Sequence, residues 1–183
     1  MVRSSLAFEM LLRHNVVTGA TMAFRSNWRS LVLPIPEWDV HDSWIALLVA
    51  AAGNVHLIDE PLILYRQHEA NLIGGRRRDL AYRLRRPRGA ASRETKRALL
   101  ETEAIIARLG GSSPSNTLHE HIAALTAKLR HLLVRDHFST REPGSILPFL
   151  GEIMSGRYQR YSTGWPSALH DLYKRLWDSR EAP

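Results

Sequence analysis

Three short groups of polar residues near the start of the chain could do chemistry. In His41-Asp42-Ser43-Trp44, a carboxylate falls in the first turn of a predicted helix. The free backbone N–H groups and the helix dipole attract negative charge there. A carboxylate in this position is a candidate general base toward a hydroxyl group. The alternative is that Asp42 only supplies a favourable first-turn charge, as many helices do.

The other two groups are Thr18-Gly19-Ala20 and Arg66-Gln67-His68. A glycine inside an apolar, β-branched segment often marks the close approach of a ligand or another backbone. Arg66 suits a phosphate group, because its planar guanidinium offers a fork of donors. His68 and His41 are candidate ligands or proton carriers, although a single histidine is more often a hydrogen-bonded structural residue. Trp44 is either a sugar-stacking platform or part of the core.

The elements that must position these groups are predicted to be of mixed type. Val16–Phe24 is rich in β-branched and apolar residues, which favours a strand or a strand-like loop. Asp39 is predicted to cap a helix from Val40 to Ala52. Two further short strands are predicted at Val55–Ile58 and Leu62–Tyr65. We therefore expect an α/β fold in the first part of the chain.

Beyond Gly75 the pattern changes and predicts helices only. Apolar residues recur there at helical spacing, and Gly110-Gly111-Ser112-Ser113-Pro114-Ser115 forms a typical hairpin connection. The predicted helices are Ser92–Leu109, Thr117–Phe138, Ile146–Ser155 and Ser167–Trp177.

Composition limits the class of protein. The chain has 183 residues, 44% of them hydrophobic, and no cysteine, which excludes disulfides and thiolate metal sites. The longest apolar run, Ile45–Gly53, is too short to cross a bilayer. Glu9 interrupts the apolar N-terminal residues, which argues against a signal peptide. We expect a soluble, cytoplasmic protein.

The net charge of +7 is concentrated in one segment, Arg76–Arg97. It holds nine arginines and one lysine against Asp79 and Glu94, a local net charge of +8. The segment is either a solvated basic linker or a contact for an anionic membrane surface, because Leu80 and Leu84 give it a narrow apolar stripe. Nucleic acid is a third possibility. Since no base-reading module or interleaved aromatic residues accompany the charge, we predict no nucleic-acid partner.

An ordered set of motifs resembles a known enzyme family. The set comprises Val17–Arg25, Leu33–Pro36, His41–Trp44 and Asp59–Asn71. It is similar to the second half of the catalytic domain of family-2 glycosyltransferases, and in particular to the bacterial rhamnosyltransferase-like group. The resemblance implies a partial GT-A (Rossmann-like) domain that lacks its N-terminal nucleotide-binding half.

The resemblance also implies a function. A sugar would pass from a nucleotide-sugar donor to a polysaccharide or lipid-linked acceptor of the cell envelope, with inversion and with Asp42 as general base. His68 would lie near the donor diphosphate and its divalent metal, Mg or Mn, as a ligand. Substrate-binding positions would be Thr18, Gly19, Ala20, His41, Trp44, Arg66 and Gln67.

One feature of the family is missing from the sequence. Family members carry an Asp-x-Asp motif for the metal and diphosphate, and this chain contains none. We therefore predict an acceptor-side half in residues 1–75, a basic linker in 76–91 and a helical region in 92–183. A separate chain could supply the missing half at the inner face of the membrane. The alternative is a non-catalytic membrane-surface or protein-interaction module derived from a glycosyltransferase.

Overall fold

A computed structural model describes residues 4–64, 90–111 and 115–177. Every regular element in these ranges is a helix. The α-helices are α1 (Ser4–Arg13), α2 (Arg29–Val32), α3 (His41–Ala52), α4 (Ala90–Leu109), α5 (Asn116–Ser139), α6 (Ile146–Met154), α7 (Arg157–Tyr161) and α8 (Trp165–Trp177). Short 3₁₀ turns occupy Gly19–Thr21 and Ser26–Trp28.

The prediction of an α/β, GT-A-like fold is therefore wrong. The predicted strand Val16–Phe24 is broken by the 3₁₀ turn at Gly19–Thr21. The predicted strand Val55–Ile58 and the described part of the next one, 62–64, are irregular chain. Strands need neighbours to pair their backbone groups, and the described ranges provide no such neighbour. Local β-branched content alone did not create a sheet.

Helix α3 is the centre of the main core. Every residue from Trp44 to Ala51 is buried, which is typical of a helix enclosed by others on all sides. Helices α1, α2, α4 and α5 pack around it. The core joins side chains from both parts of the chain, including Phe8, Leu48, Ile105 and Leu125.

The start of α3 differs in detail from the prediction. Val40, and not Asp39, is the residue that precedes the first helical turn, and no side chain caps this helix end. Asp39 Oδ1 instead accepts hydrogen bonds from the Val40 N–H and the Arg97 guanidinium, both at 2.7 Å. The Asp39 side chain is fully buried, so the charge of Arg97 offsets its desolvation. This ion pair connects α4 to the residues that directly precede α3.

The helices predicted after Gly75 are confirmed, with ends within two residues of those observed. Helices α5 to α8 enclose a second, smaller core formed by Phe138, Phe149, Tyr158 and Ala168. The Phe138 and Phe149 rings are stacked with centroids 3.6 Å apart. Helices α1 and α7 were not predicted.

Two other expectations concern regions that the structure does not cover. The predicted boundary at residue 75 and most of the basic linker 76–91 fall outside the described residues, so this division of the chain stays a prediction.

Among the helices in the described ranges, none has both the length and the apolar character that a bilayer crossing requires.

Candidate functional site

The carboxylate of Asp42 is the centre of the candidate site. Asp42 lies in the first turn of α3 and is buried, with 6% of its surface exposed. The Asn15 side-chain amide donates to Oδ1 at 2.9 Å, and the Gly19 backbone N–H donates to Oδ2 at 3.3 Å. Both carboxylate oxygens therefore have a fixed partner. The residues that hold Asp42 come from the segment between α1 and α2.

Asn15 is itself held in place by a local turn. Its side-chain oxygen accepts a hydrogen bond of 2.9 Å from the Val17 N–H, which leaves the amide NH₂ for Asp42. The amide orientation follows from this pair of contacts, since the oxygen faces a donor and the nitrogen faces an acceptor. The turn thus places the Asn15 amide as a hydrogen-bond donor beside the Asp42 carboxylate.

Gly19 lies against the neighbouring imidazole. A Cβ atom at this position would lie 2.3 Å from His41 Nε2, so a larger residue here would displace the exposed His41 side chain. The sequence predicted close approach by a ligand or another backbone at this glycine, whereas the neighbouring group in the structure is the His41 side chain. Because His41 is exposed, its ring faces solvent beside the Asp42 carboxylate. Gly19 therefore contacts both His41 and Asp42.

Thr18 and Ala20 flank this cluster at the surface. Both residues are exposed. The Thr18 carbonyl accepts from the Thr21 N–H at 2.9 Å and from its hydroxyl at 3.0 Å, which closes the 3₁₀ turn. These contacts use the backbone of Thr18, so its side chain remains at the rim of the cluster.

Trp44 lies in the core. It is 1% exposed, and its indole N–H donates to the Val32 carbonyl at 2.8 Å. The Arg108 guanidinium lies over the ring at 5.5 Å and donates to the Leu33 carbonyl at 2.7 Å. No ring face is open to a substrate in this structure, so the observed role of Trp44 is to fix α2 and α4 against α3.

The structure does not describe the residues predicted to bind the phosphate and the metal. Arg66, Gln67 and His68 fall outside the described residues. Within the ranges that the structure describes, no three His, Asp or Glu side chains gather into a group that could hold a metal ion. The described residues by themselves therefore do not fit the divalent metal that the resemblance implies, and no step is derived through it.

A cavity of about 370 Å³ adjoins the Asp42 cluster. Asn15 and Ser43 line it, whereas Asp42 itself is not one of the lining residues. Further inside, Glu101 accepts a hydrogen bond from Ser43, and Lys128 lies close enough to influence Glu101 electrostatically. Burial raises the pKa of the Glu101 carboxyl and lowers that of the Lys128 amine.

Sequence reasoning missed several of these partners. Asn15 and Asp42 are 27 residues apart, and Ser43 and Glu101 are 58 apart. Asn15 adjoins a predicted motif, but its type alone does not reveal a contact with Asp42. Glu101 sits within an ordinary amphipathic helix and carries no distinguishing pattern. Only the packing of α1, α3 and α4 brings these groups together.

Comparison with known proteins assigns no family to the chain. No protein-family model matches it, and no curated protein and no solved structure matches it significantly. The site must therefore be interpreted from its own geometry.

Proposed function

We propose that the Asp42 cluster is the base-bearing acceptor site of a glycosyl transfer from a nucleotide sugar to a polysaccharide or lipid-linked acceptor. The observation that carries this proposal is the fixed Asp42 carboxylate beside a surface formed by Thr18, Gly19 and His41. It does not depend on a GT-A fold. The motif resemblance supplies the reaction class, and the geometry supplies a carboxylate held in one orientation.

The proposed step needs only one proton acceptor from the described residues. An acceptor hydroxyl would approach Asp42 from the His41 side, where the cluster is open to solvent. Asp42 would take the proton as the hydroxyl oxygen forms its bond to the anomeric carbon, and the bond to the diphosphate breaks. Asn15 and the Gly19 N–H would keep the carboxylate aimed, since reactive groups lose efficiency when they are free to rotate.

The donor would be held outside the described residues. Arg66, Gln67 and His68 remain the positions proposed for the diphosphate end, and a nucleotide-binding half would come from a partner chain or an additional segment. This arrangement requires that the chain act within a larger assembly. A test must therefore use the native context and not the isolated chain.

The test is genetic complementation in the cells that produce the protein. Deletion of the gene should remove a sugar from an envelope polysaccharide or lipid-linked glycan, as measured by mass spectrometry of the glycans. The unchanged gene should restore the sugar, and Asp42→Asn should not, at equal protein level. Glu37→Gln is the matched control, because Glu37 is an exposed carboxylate shortly before the same helix.

The outcome also separates this proposal from its alternative. If Asp42→Asn restores the glycan fully, the carboxylate is not the base. If deletion changes no glycan at all, the chain is not part of a glycosyl transfer, and a membrane-surface or protein-interaction module becomes the better description.

A further inference from the structure

A second group of potentially reactive side chains lies between helices α5, α6 and α7. The Ser162 hydroxyl is 2.9 Å from His131 Nε2, and His131 Nδ1 is 2.6 Å from Glu152 Oε2. Both distances lie within the range of hydrogen bonds. A hydroxyl, an imidazole and a carboxylate connected in this order are the arrangement that activates a serine as a nucleophile.

The neighbouring charges fix the direction of these hydrogen bonds. Arg157 donates to Glu152 Oε1 at 2.7 Å, and a carboxylate accepts hydrogen bonds at both of its oxygens. His131 Nδ1 therefore carries the proton and donates to Glu152. Arg135 donates to the Ser162 oxygen at 2.9 Å, which leaves the Ser162 O–H to donate to His131 Nε2. This is the tautomer that a general base requires.

His131 is kept neutral by its surroundings. The residue is fully buried, and burial lowers the pKa of its imidazole to about 4, with Arg135 acting in the same direction and Glu152 opposing. Asp171 lies on the other side of Arg135 and holds its guanidinium through two hydrogen bonds of 2.7 and 3.1 Å. At neutral pH the imidazole can therefore accept a proton.

Ser162 opens onto a space that could hold a small molecule. It lines the 370 Å³ cavity together with Arg135 and Lys128. That volume lies within the range of ordinary ligand pockets. Arg135 already donates to the Ser162 oxygen, so its positive charge lies close to where an oxyanion would develop. Ser167 lines the same cavity, but its hydroxyl is hydrogen-bonded to the Thr163 hydroxyl at 2.7 Å.

We infer that Ser162, His131 and Glu152 form a nucleophilic site for small acyl esters that opens into this cavity. Ser162 is the nucleophile and His131 the general base. Glu152 is a positioning residue, because it acts only through His131. This activity is separate from the proposed glycosyl transfer, which uses Asp42 and none of these three residues.

The step conserves atoms and electrons without any further reactant except water. The Ser162 oxygen forms a bond to the acyl carbon while His131 Nε2 takes the hydroxyl proton. The bond from the acyl carbon to the ester oxygen breaks, and His131 returns the proton to the leaving alcohol. Water, deprotonated by His131, then hydrolyses the acyl-serine and restores the hydroxyl.

The first test uses the unchanged chain. It is incubated with a small fluorophosphonate, and the modified residue is located by peptide mass spectrometry. The inference predicts a single adduct on Ser162, with a labelling rate that falls only as the pH approaches about 4. Absence of an adduct on the folded chain, or an adduct on Ser167 or another residue in its place, would overturn it.

The second test uses variants and p-nitrophenyl acetate. Ser162→Ala should abolish both labelling and hydrolysis, and His131→Gln should lower the labelling rate at least about 100-fold. Ser167→Ala is the matched control and should retain both. Glu152→Gln should lower the maximal labelling rate with no change in the reversible affinity for the probe. A purely structural Glu152 would instead change both or neither, and Ser162→Ala that still hydrolyses the ester would refute the site.

Discussion

The side-chain amide of Asn15 donates a hydrogen bond of 2.9 Å to Oδ1 of Asp42, across a separation of 27 residues. This contact joins the segment after α1 to the first turn of α3. The Gly19 backbone N–H donates to Oδ2, so each oxygen of the buried carboxylate has a hydrogen-bond partner. The organisation of the candidate site depends on it.

Replacing Asn15 by alanine should destabilise the fold measurably. The change removes the donor to Asp42 and the acceptor for the Val17 N–H. Since a hydrogen bond to a charged group contributes about 1.5–3 kcal/mol, we expect the free energy of unfolding to fall by about 1.5 kcal/mol. Urea denaturation measures it. Asn54→Ala is the control, because Asn54 is exposed, and an equal loss in both variants would contradict the role of Asn15.

Two glycine substitutions should have opposite effects on stability. A Cβ at Gly53 would lie 2.5 and 2.7 Å from ring atoms of the half-buried Trp28, so Gly53→Ala forces that ring to move and should cost about 1–3 kcal/mol. A Cβ at Gly151 would meet nothing within 4 Å. Gly151→Ala in α6 should therefore stabilise the fold by up to about 1 kcal/mol. Thermal unfolding of both variants checks the pair, and a stabilised Gly53→Ala would contradict the observed packing.

Stability should depend on pH through His131. The pKa of its buried imidazole is about 4 in the folded chain, against an ordinary value of 6.5. As the pH falls below 6.5 the unfolded chain takes up this proton first, so the free energy of unfolding should decrease until about pH 4. The contribution is on the order of 3 kcal/mol.

Urea denaturation at several pH values between these limits measures this dependence. His131→Gln should remove most of the slope, whereas His56→Gln should retain it, since His56 is exposed. An unchanged slope in His131→Gln would show that other groups control the acid response.

The buried ion pair between Arg135 and Asp171 should be far more important than a surface pair. Asp171 is 1% exposed and also accepts from the Tyr158 hydroxyl at 2.8 Å. Asp171→Asn leaves the Arg135 charge uncompensated in the interior and should cost about 3–5 kcal/mol. The matched control is Glu9→Gln, which breaks the exposed pair with Arg160 and should cost less than about 1 kcal/mol. Similar losses in the two variants, measured by urea denaturation, would contradict this ranking.

The helices after residue 92 could be predicted because their pattern is local. Apolar spacing and the Gly- and Pro-containing connections predict α4, α5, α6 and α8 from neighbouring residues alone. The strand predictions were wrong because a strand needs a distant partner strand, and Val16–Phe24 has none in the described part of the chain. Its apolar residues pack instead against a helical core, as Val17 and Met22 do.

The candidate site was predictable in part for the same reason. Asp42, His41 and Gly19 belong to short motifs whose residue types indicate chemistry, and the fold brings them together. The partnership of Ser43 with Glu101 and the chain of contacts through His131 depend on separations of 58 and 21 residues. Neither helix face carries a pattern that distinguishes these residues from ordinary polar positions.

The rate of sugar transfer with Asp42→Asn tests the central claim most directly. Membranes and extracts from complemented cells would be supplied with labelled nucleotide sugars, and the rates normalised to the amount of folded protein. The rates are normalised because the asparagine side chain would turn its own N–H group toward the donor of Asn15 or Gly19, and two donors repel each other. Asn15→Ala is the control, since it loosens the site but keeps the carboxylate. We predict at least a 100-fold lower rate for Asp42→Asn, about the contribution of a general base, and at most about a tenfold loss for Asn15→Ala. Equal rates for Asp42→Asn and the unchanged chain would contradict the assignment of Asp42 as the base.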